Sequence, residues 1–163
     1  MPLYIHLLIH FTVAVLSGCL VGWYFKNIKI GIILGIIGGF LIDLDHVLEY
    51  FLVYGLNFNL RYFFEGRQFL ISDKMRLIFH AWEYIPLFVF LIFIFRKRAI
   101  IKFIFAGIVF AGTLHLISDS LINSYPLKNY SLIYRASQNF SAQKILSPQQ
   151  YQRNIQERQR LGL

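Results

Sequence analysis

Residues 28–54, IKIGIILGIIGGFLIDLDHVLEYFLVY, constrain this chain more than any other stretch. The run is apolar over a length that can cross a bilayer, for which about 20 residues suffice. Yet Asp43, Asp45, His46 and Glu49 crowd its second half. A charged group placed at the centre of a bilayer costs about 3 kcal/mol or more unless something pairs with it. The fold must therefore supply partners for these four groups.

Three other runs have the same character: Leu3–Phe25, ended by Lys26; Leu77–Phe95, ended by Arg96, Lys97 and Arg98; and Ile100–Ile122, with Lys102 near its start. Hydrophobic residues make up 57% of the chain, above the roughly 45–50% of soluble domains, and the mean hydropathy is +0.57. The expected fold class is all-α, a polytopic membrane protein. A four-transmembrane-helix bundle occupies residues 1–125, with a metal site near one membrane face. A basic interfacial segment and polar tail follow over 126–163.

The net charge of +8 sits at the ends of the apolar runs and in the tail. That pattern suits anionic lipid headgroups rather than nucleic acid. The single cysteine, Cys19, excludes an internal disulfide framework. Leu16-Ser17-Gly18-Cys19 has the form of a lipoprotein cleavage box, but no basic residue precedes it and an apolar sequence follows. The first run therefore reads as a retained span. Gly31, Gly35 and Gly39 form a small-residue stripe that lets helices approach closely, within one chain or in a homo-oligomer. Pro86 is expected to kink the third helix. Residues 55–75 and 126–146 mix aromatic with basic residues and read as interfacial loops or short amphipathic helices. Ser147-Pro148 is a helix start.

Every run carries ligand-type groups. His6 and His10 are four apart, His80 and Glu83 three apart, His115 and Asp119 four apart, and the second run holds Asp43, Asp45, His46 and Glu49. Spacings of three and four share a helix face. Counted from the basic end of each helix, His10, Asp45, His80 and Asp119 all lie about 24–25 Å along the axis. An up-down-up-down bundle would bring them to one level. All five histidines of the chain belong to this set.

Histidine with carboxylate and no thiolate suits zinc, manganese or iron, and there are ligands enough for one or two ions. The candidate ligands are His6, His10, Asp43, Asp45, His46, His80, His115 and Asp119. Asp45, Glu49 and Glu83 are candidates for the catalytic base. A lone buried histidine is more often a hydrogen-bonded packing residue, and carboxylate–histidine pairs also form metal-free networks. Four runs supplying such groups at one depth favour the metal. A catalytic zinc keeps an open position for water and lowers its pKa toward about 7, and a carboxylate can take the proton. A site within reach of headgroups would take a lipid or lipid-linked ester, phosphoester or amide. No Gly-X-Ser-X-Gly elbow is present.

GGFLIDLDH resembles the Asp-X-Asp-His signature of the membrane-bound metal-dependent hydrolases of bacteria and archaea, the small inner-membrane YdjM-like type. GTLHLISDSL resembles that family's later His-X-X-X-Asp motif, and His6 or His10 its early histidine. The resemblance implies Asp43, Asp45, His46, His80, His115 and Asp119 as metal ligands or nearby groups, and a prokaryotic inner-membrane location. The middle of the chain departs from the pattern: FHAWEYI has one histidine, His80, then Glu83. Two readings from other classes stay open, a diiron-type membrane oxidoreductase and a metal- or proton-coupled transporter. A haem-binding bundle fits poorly with a carboxylate beside each histidine.

Overall fold

Two short connections between apolar helices set the architecture. Lys26, with φ 57°, turns the chain out of α1 (Leu3–Tyr24). Asn27 then starts α2 (Ile28–Leu41) by accepting a hydrogen bond from the Ile30 amide on its side chain. So tight a link makes neighbouring helices antiparallel. Arg96–Arg98 likewise joins α6 (Tyr84–Ile94) to α7 (Ala99–Asn123). The structure is a computed structural model. It describes residues 3–163, with side chains from Ile5 on, and no strand is found among them.

After α2 come α3 (Leu44–Tyr54), α4 (Leu60–Phe64) and α5 (Arg67–Ser72), and after α7 come α8 (Leu132–Ser137), α9 (Ala142–Ile145) and α10 (Pro148–Leu161). The chain divides into two compact units. One holds α1, α2, α6 and α7, with Asp43 and Ala81–Pro126 included. The other comprises Leu44–His80 and Leu127–Leu163.

In the first unit α1, α2 and α7 pack on one another and α6 packs on α7. The glycine stripe serves the α1–α2 contact within the chain. A methyl group on Gly31 would strike the backbone of Gly18 and Gly22, and one on Gly35 would strike Ala14 and Gly18. The polarity of this unit is inverted relative to a protein in water. Leu8, Leu16, Leu20 and Trp23 are 62, 57, 56 and 74% exposed, while His10, Ser17, His115 and Asp119 are buried. Exposed apolar area on this scale marks a surface that meets something other than water. Ile5–Tyr24, Ile28–Tyr54 and Ala99–Asn123 are each long and apolar enough to cross a membrane.

The fourth expected span is not formed as a full crossing. The Leu77–Phe95 run is helical only from Tyr84, so α6 has 11 residues. That reaches about 16 Å, against a hydrocarbon core of about 30 Å. Residues 77–83 turn instead of continuing the helix. Pro86 therefore lies in the first turn of α6, where its missing N–H removes no helical bond, and no interior kink arises there.

The second unit is held by caps and loop bonds. Tyr50, fully buried, accepts from the Asn59 amide at 2.9 Å and packs against Tyr54, Phe58 and Phe63. Arg61 and Arg67 both grip Glu65, at 2.8 and 2.6 Å. These bonds hold its carboxyl below the usual carboxylate range. The 126–146 segment holds two short helices, α8 and α9, and is bonded to the residues after α5. Met75 donates to the Phe140 carbonyl at 2.8 Å, Ala142 to that of Asp73 at 3.0 Å, and Lys74 Nζ to that of Asn139 at 2.9 Å. Ser147 and Gln150 form the reciprocal cap expected at the start of α10.

Replacing Gly35 by Ala should lower the thermal midpoint of detergent-purified protein by an amount equivalent to about 1–3 kcal/mol of overpacking. Gly112→Ala meets only the end of the Ile42 side chain at 3.1 Å and should be tolerated. Equal midpoints for the two variants would refute the packing role of the stripe.

Candidate metal centre

The interior of the first unit combines small residues with Leu34, Phe103 and Leu116, and its buried histidines and Asp119 gather at one end. His6 and His10 lie in the first turns of α1, Asp43 just beyond α2, and His115 and Asp119 in the last third of α7. Short antiparallel links place these positions together, as the helix lengths require. The Nε2 atoms of His6 and His10 are 2.9 Å apart. They lie 3.5 and 3.1 Å from the same oxygen of Asp119, Oδ1. The other Asp119 oxygen is 3.4 Å from His115 Nε2, which is 3.5 Å from Asp43 Oδ1. The His10 and His115 rings stack with centroids 4.1 Å apart.

This convergence is the arrangement a cation would use. The donor atoms of His6, His10 and Asp119 all lie within 4.8 Å of one another. Tetrahedral ligands at about 2.05 Å from zinc stand about 3.3 Å apart, close to the observed spread. Two imidazole Nε2 atoms and a carboxylate oxygen meeting at one place are donors of the kind a divalent cation takes. These buried groups can hold a metal ion. His10 Nδ1 has no hydrogen-bond partner among the described residues.

Asp45, His46, Glu49 and His80 fall in the second unit. Asp45 is 2% exposed. Its Oδ2 accepts from the amides of Phe79 and His80 at 2.9 and 3.1 Å, and His80 Nδ1 stands 2.9 Å from the same atom. Residues 77–83 turn rather than form a helix, with Leu77 at φ 34°, so a depth counted along a helix from Arg96 does not apply to His80. The Asp45 carboxylate holds this turn through the Phe79 and His80 amides. With Nδ1 held by a carboxylate, Nε2 is the nitrogen oriented for a ligand, the usual arrangement behind metal-binding histidines. The His46 ring meets the His80 ring edge-on, with centroids 5.1 Å apart.

Glu49 is 1% exposed and is paired with the Arg76 guanidinium, with Ser72 Oγ at 3.4 Å. Its Oε2 has no hydrogen-bond partner among the described residues. Glu83 stands half-buried at the head of α6. The sequence reading missed Arg135. It is 1% exposed and donates from Nη2 to the His80 carbonyl at 2.7 Å. Nothing local marks it out, because its partner is 55 residues away. Arg76, which partners Glu49 from 27 residues away, is likewise unmarked by any local pattern.

No protein-family model, no curated protein and no solved structure matches this chain.

Asp45→Asn weakens the acceptor for the Phe79 and His80 amides. A loss of about 1–3 kcal/mol should speed their hydrogen exchange roughly 5- to 150-fold, with little change at α1 or α7. Unchanged exchange at both amides would show that Asp45 does not set the turn.

Proposed function

We propose that the protein is a membrane-embedded metal-dependent hydrolase, as the resemblance of its Asp-X-Asp-His and His-X-X-X-Asp stretches implies. The observation that carries this reading is the convergence of His6, His10 and Asp119 donor atoms inside a helical unit whose outer surface is apolar. His6, His10 and Asp119 would hold the ion, with His115 bound to the second oxygen of Asp119. Zinc fits the nitrogen and carboxylate donors, and manganese and iron share them. When bound, such an ion supplies a Lewis acid and lowers the pKa of a water in its open position.

The chain's own residues then divide the work. Asp119 is almost enclosed, its side chain 6% exposed, and both its oxygens face histidines, which suits a ligand. The Asp43 side chain is 31% exposed and lies 3.5 Å from His115 Nε2, which suits a carboxylate that accepts a proton and passes it outward. In the second unit Asp45 and Arg135 fix His80 from its ring, amide and carbonyl. Exposed leucines and aromatics around the helices would keep the site at the level of lipid. The substrate would then be a lipid or lipid-linked ester, phosphoester or amide, and the location the inner membrane of a prokaryote.

Elemental analysis of detergent-purified protein tests the reading. About one or two equivalents of zinc or manganese per chain is expected. His10→Ala and Asp119→Asn should each abolish binding while still inserting. Asp43→Asn should keep the metal and lower hydrolysis of a lipid-ester, phosphoester and amide panel by about 10²- to 10⁴-fold. Absence of metal after incubation with zinc would overturn the proposal. Iron near two equivalents would favour the oxidoreductase.

A further inference from the structure

The opposite end of the first unit carries a feature that the metal centre does not use. A cavity of about 440 Å³ opens between α1, α6 and α7. Its lining includes Leu20 and Phe25 from the α1 end, Ile92 from α6, and Lys102, Ala106 and Phe110 from α7. Lys102 is the one charged residue in that lining. It is half-buried, and its ammonium lies 5.5 Å from the centre of the Phe25 ring. Among the described residues it makes no ion pair.

Position along the helix says what would complete it. Lys102 is the fourth residue of α7. Trp23 and Tyr24 are 74 and 72% exposed at this end, Lys26 and Arg96–Arg98 lie in the two connections, and Lys29 is in the first turn of α2. Exposed Trp and Tyr beside basic residues mark headgroup level. From Lys102 the lining follows α7 to Phe110, about 12 Å further into the apolar span. The cavity thus has a cation at headgroup depth and an apolar trough below it. An unpaired cation at the edge of a span attracts an anion, and basic pockets between helices bind anionic headgroups.

We propose that this groove is a binding site for one anionic phospholipid, its phosphate on Lys102 and an acyl chain in the trough beside Ala106 and Phe110. The site is separate from the His and Asp cluster and does not depend on the hydrolase reading. An anionic lipid seated here ties α1, α6 and α7 together at the end away from the metal centre.

The test uses full-length protein in nanodiscs of equal phosphatidylglycerol and phosphatidylcholine, with retained lipid read by native mass spectrometry. Wild type should retain phosphatidylglycerol about fivefold over phosphatidylcholine, as one lysine contact at the surface warrants. Lys102→Gln should abolish the preference, Lys102→Arg should keep it, and Lys29→Gln, outside the groove, should leave it unchanged. Ala106→Phe fills the trough without touching the charge and should reduce total lipid retained. A wild-type preference in Lys102→Gln would overturn the proposal, as would wild-type retention in Ala106→Phe. So would full competition by glycerol phosphate, which would reveal a headgroup contact with no acyl site. Metal content should stay at the wild-type value in all four variants, so a failure here leaves the metal centre untouched.

Discussion

A carboxylate in an apolar helix has to find a partner, and the rest of this structure can be followed from that demand. Each buried acid meets it differently. Asp119 is faced by imidazoles from α1 and from its own helix. Asp45 draws two backbone amides and a histidine ring to itself. Glu49 takes the guanidinium of Arg76. The first solution gathers donor atoms at one point and suits a cation. The second fixes the turn at Phe79 and His80. The third is an ion pair between α3 and the segment that follows α5.

Such groups can be buried because the helices that carry them approach closely. Gly18, Gly22, Gly31 and Gly35 bring the backbones of α1 and α2 into contact. The larger apolar side chains are left to the outside. In lipid no hydrophobic force drives helices together, so close packing and polar contacts must do it. The glycine seam and the His–Asp cluster are complementary in this respect. The seam sets the spacing of α1 and α2, and the cluster joins α1 to α7 at one end.

Much of this was legible in the residues. Run lengths and basic ends located α1, the Ile28–Tyr54 stretch and α7, because spanning is a matter of length and polarity alone. The grouping of His6, His10, His115 and Asp119 followed from helix period and equal depth, which hold wherever the helix is continuous. The count along a helix does not apply at His80, because the helix begins only at Tyr84. Leu77–Glu83 is apolar enough to extend α6, yet it turns, with Leu77 at φ 34° and the Phe79 and His80 amides on the Asp45 carboxylate. No local pattern marks Arg135 for burial, because its partner is a carbonyl 55 residues away.

The sequence by itself determined that the chain is helical and suited to a membrane, which residues could bind a metal, and where α10 begins. Those properties follow from composition, period and local capping. Only the tertiary structure decided which acids meet which bases. It placed His6, His10, Asp43, His115 and Asp119 in one cluster and gave Asp45 and Arg135 the task of holding His80. The reason is physical: pairing of buried polar groups is satisfied across long sequence separations, and no local pattern encodes the partner.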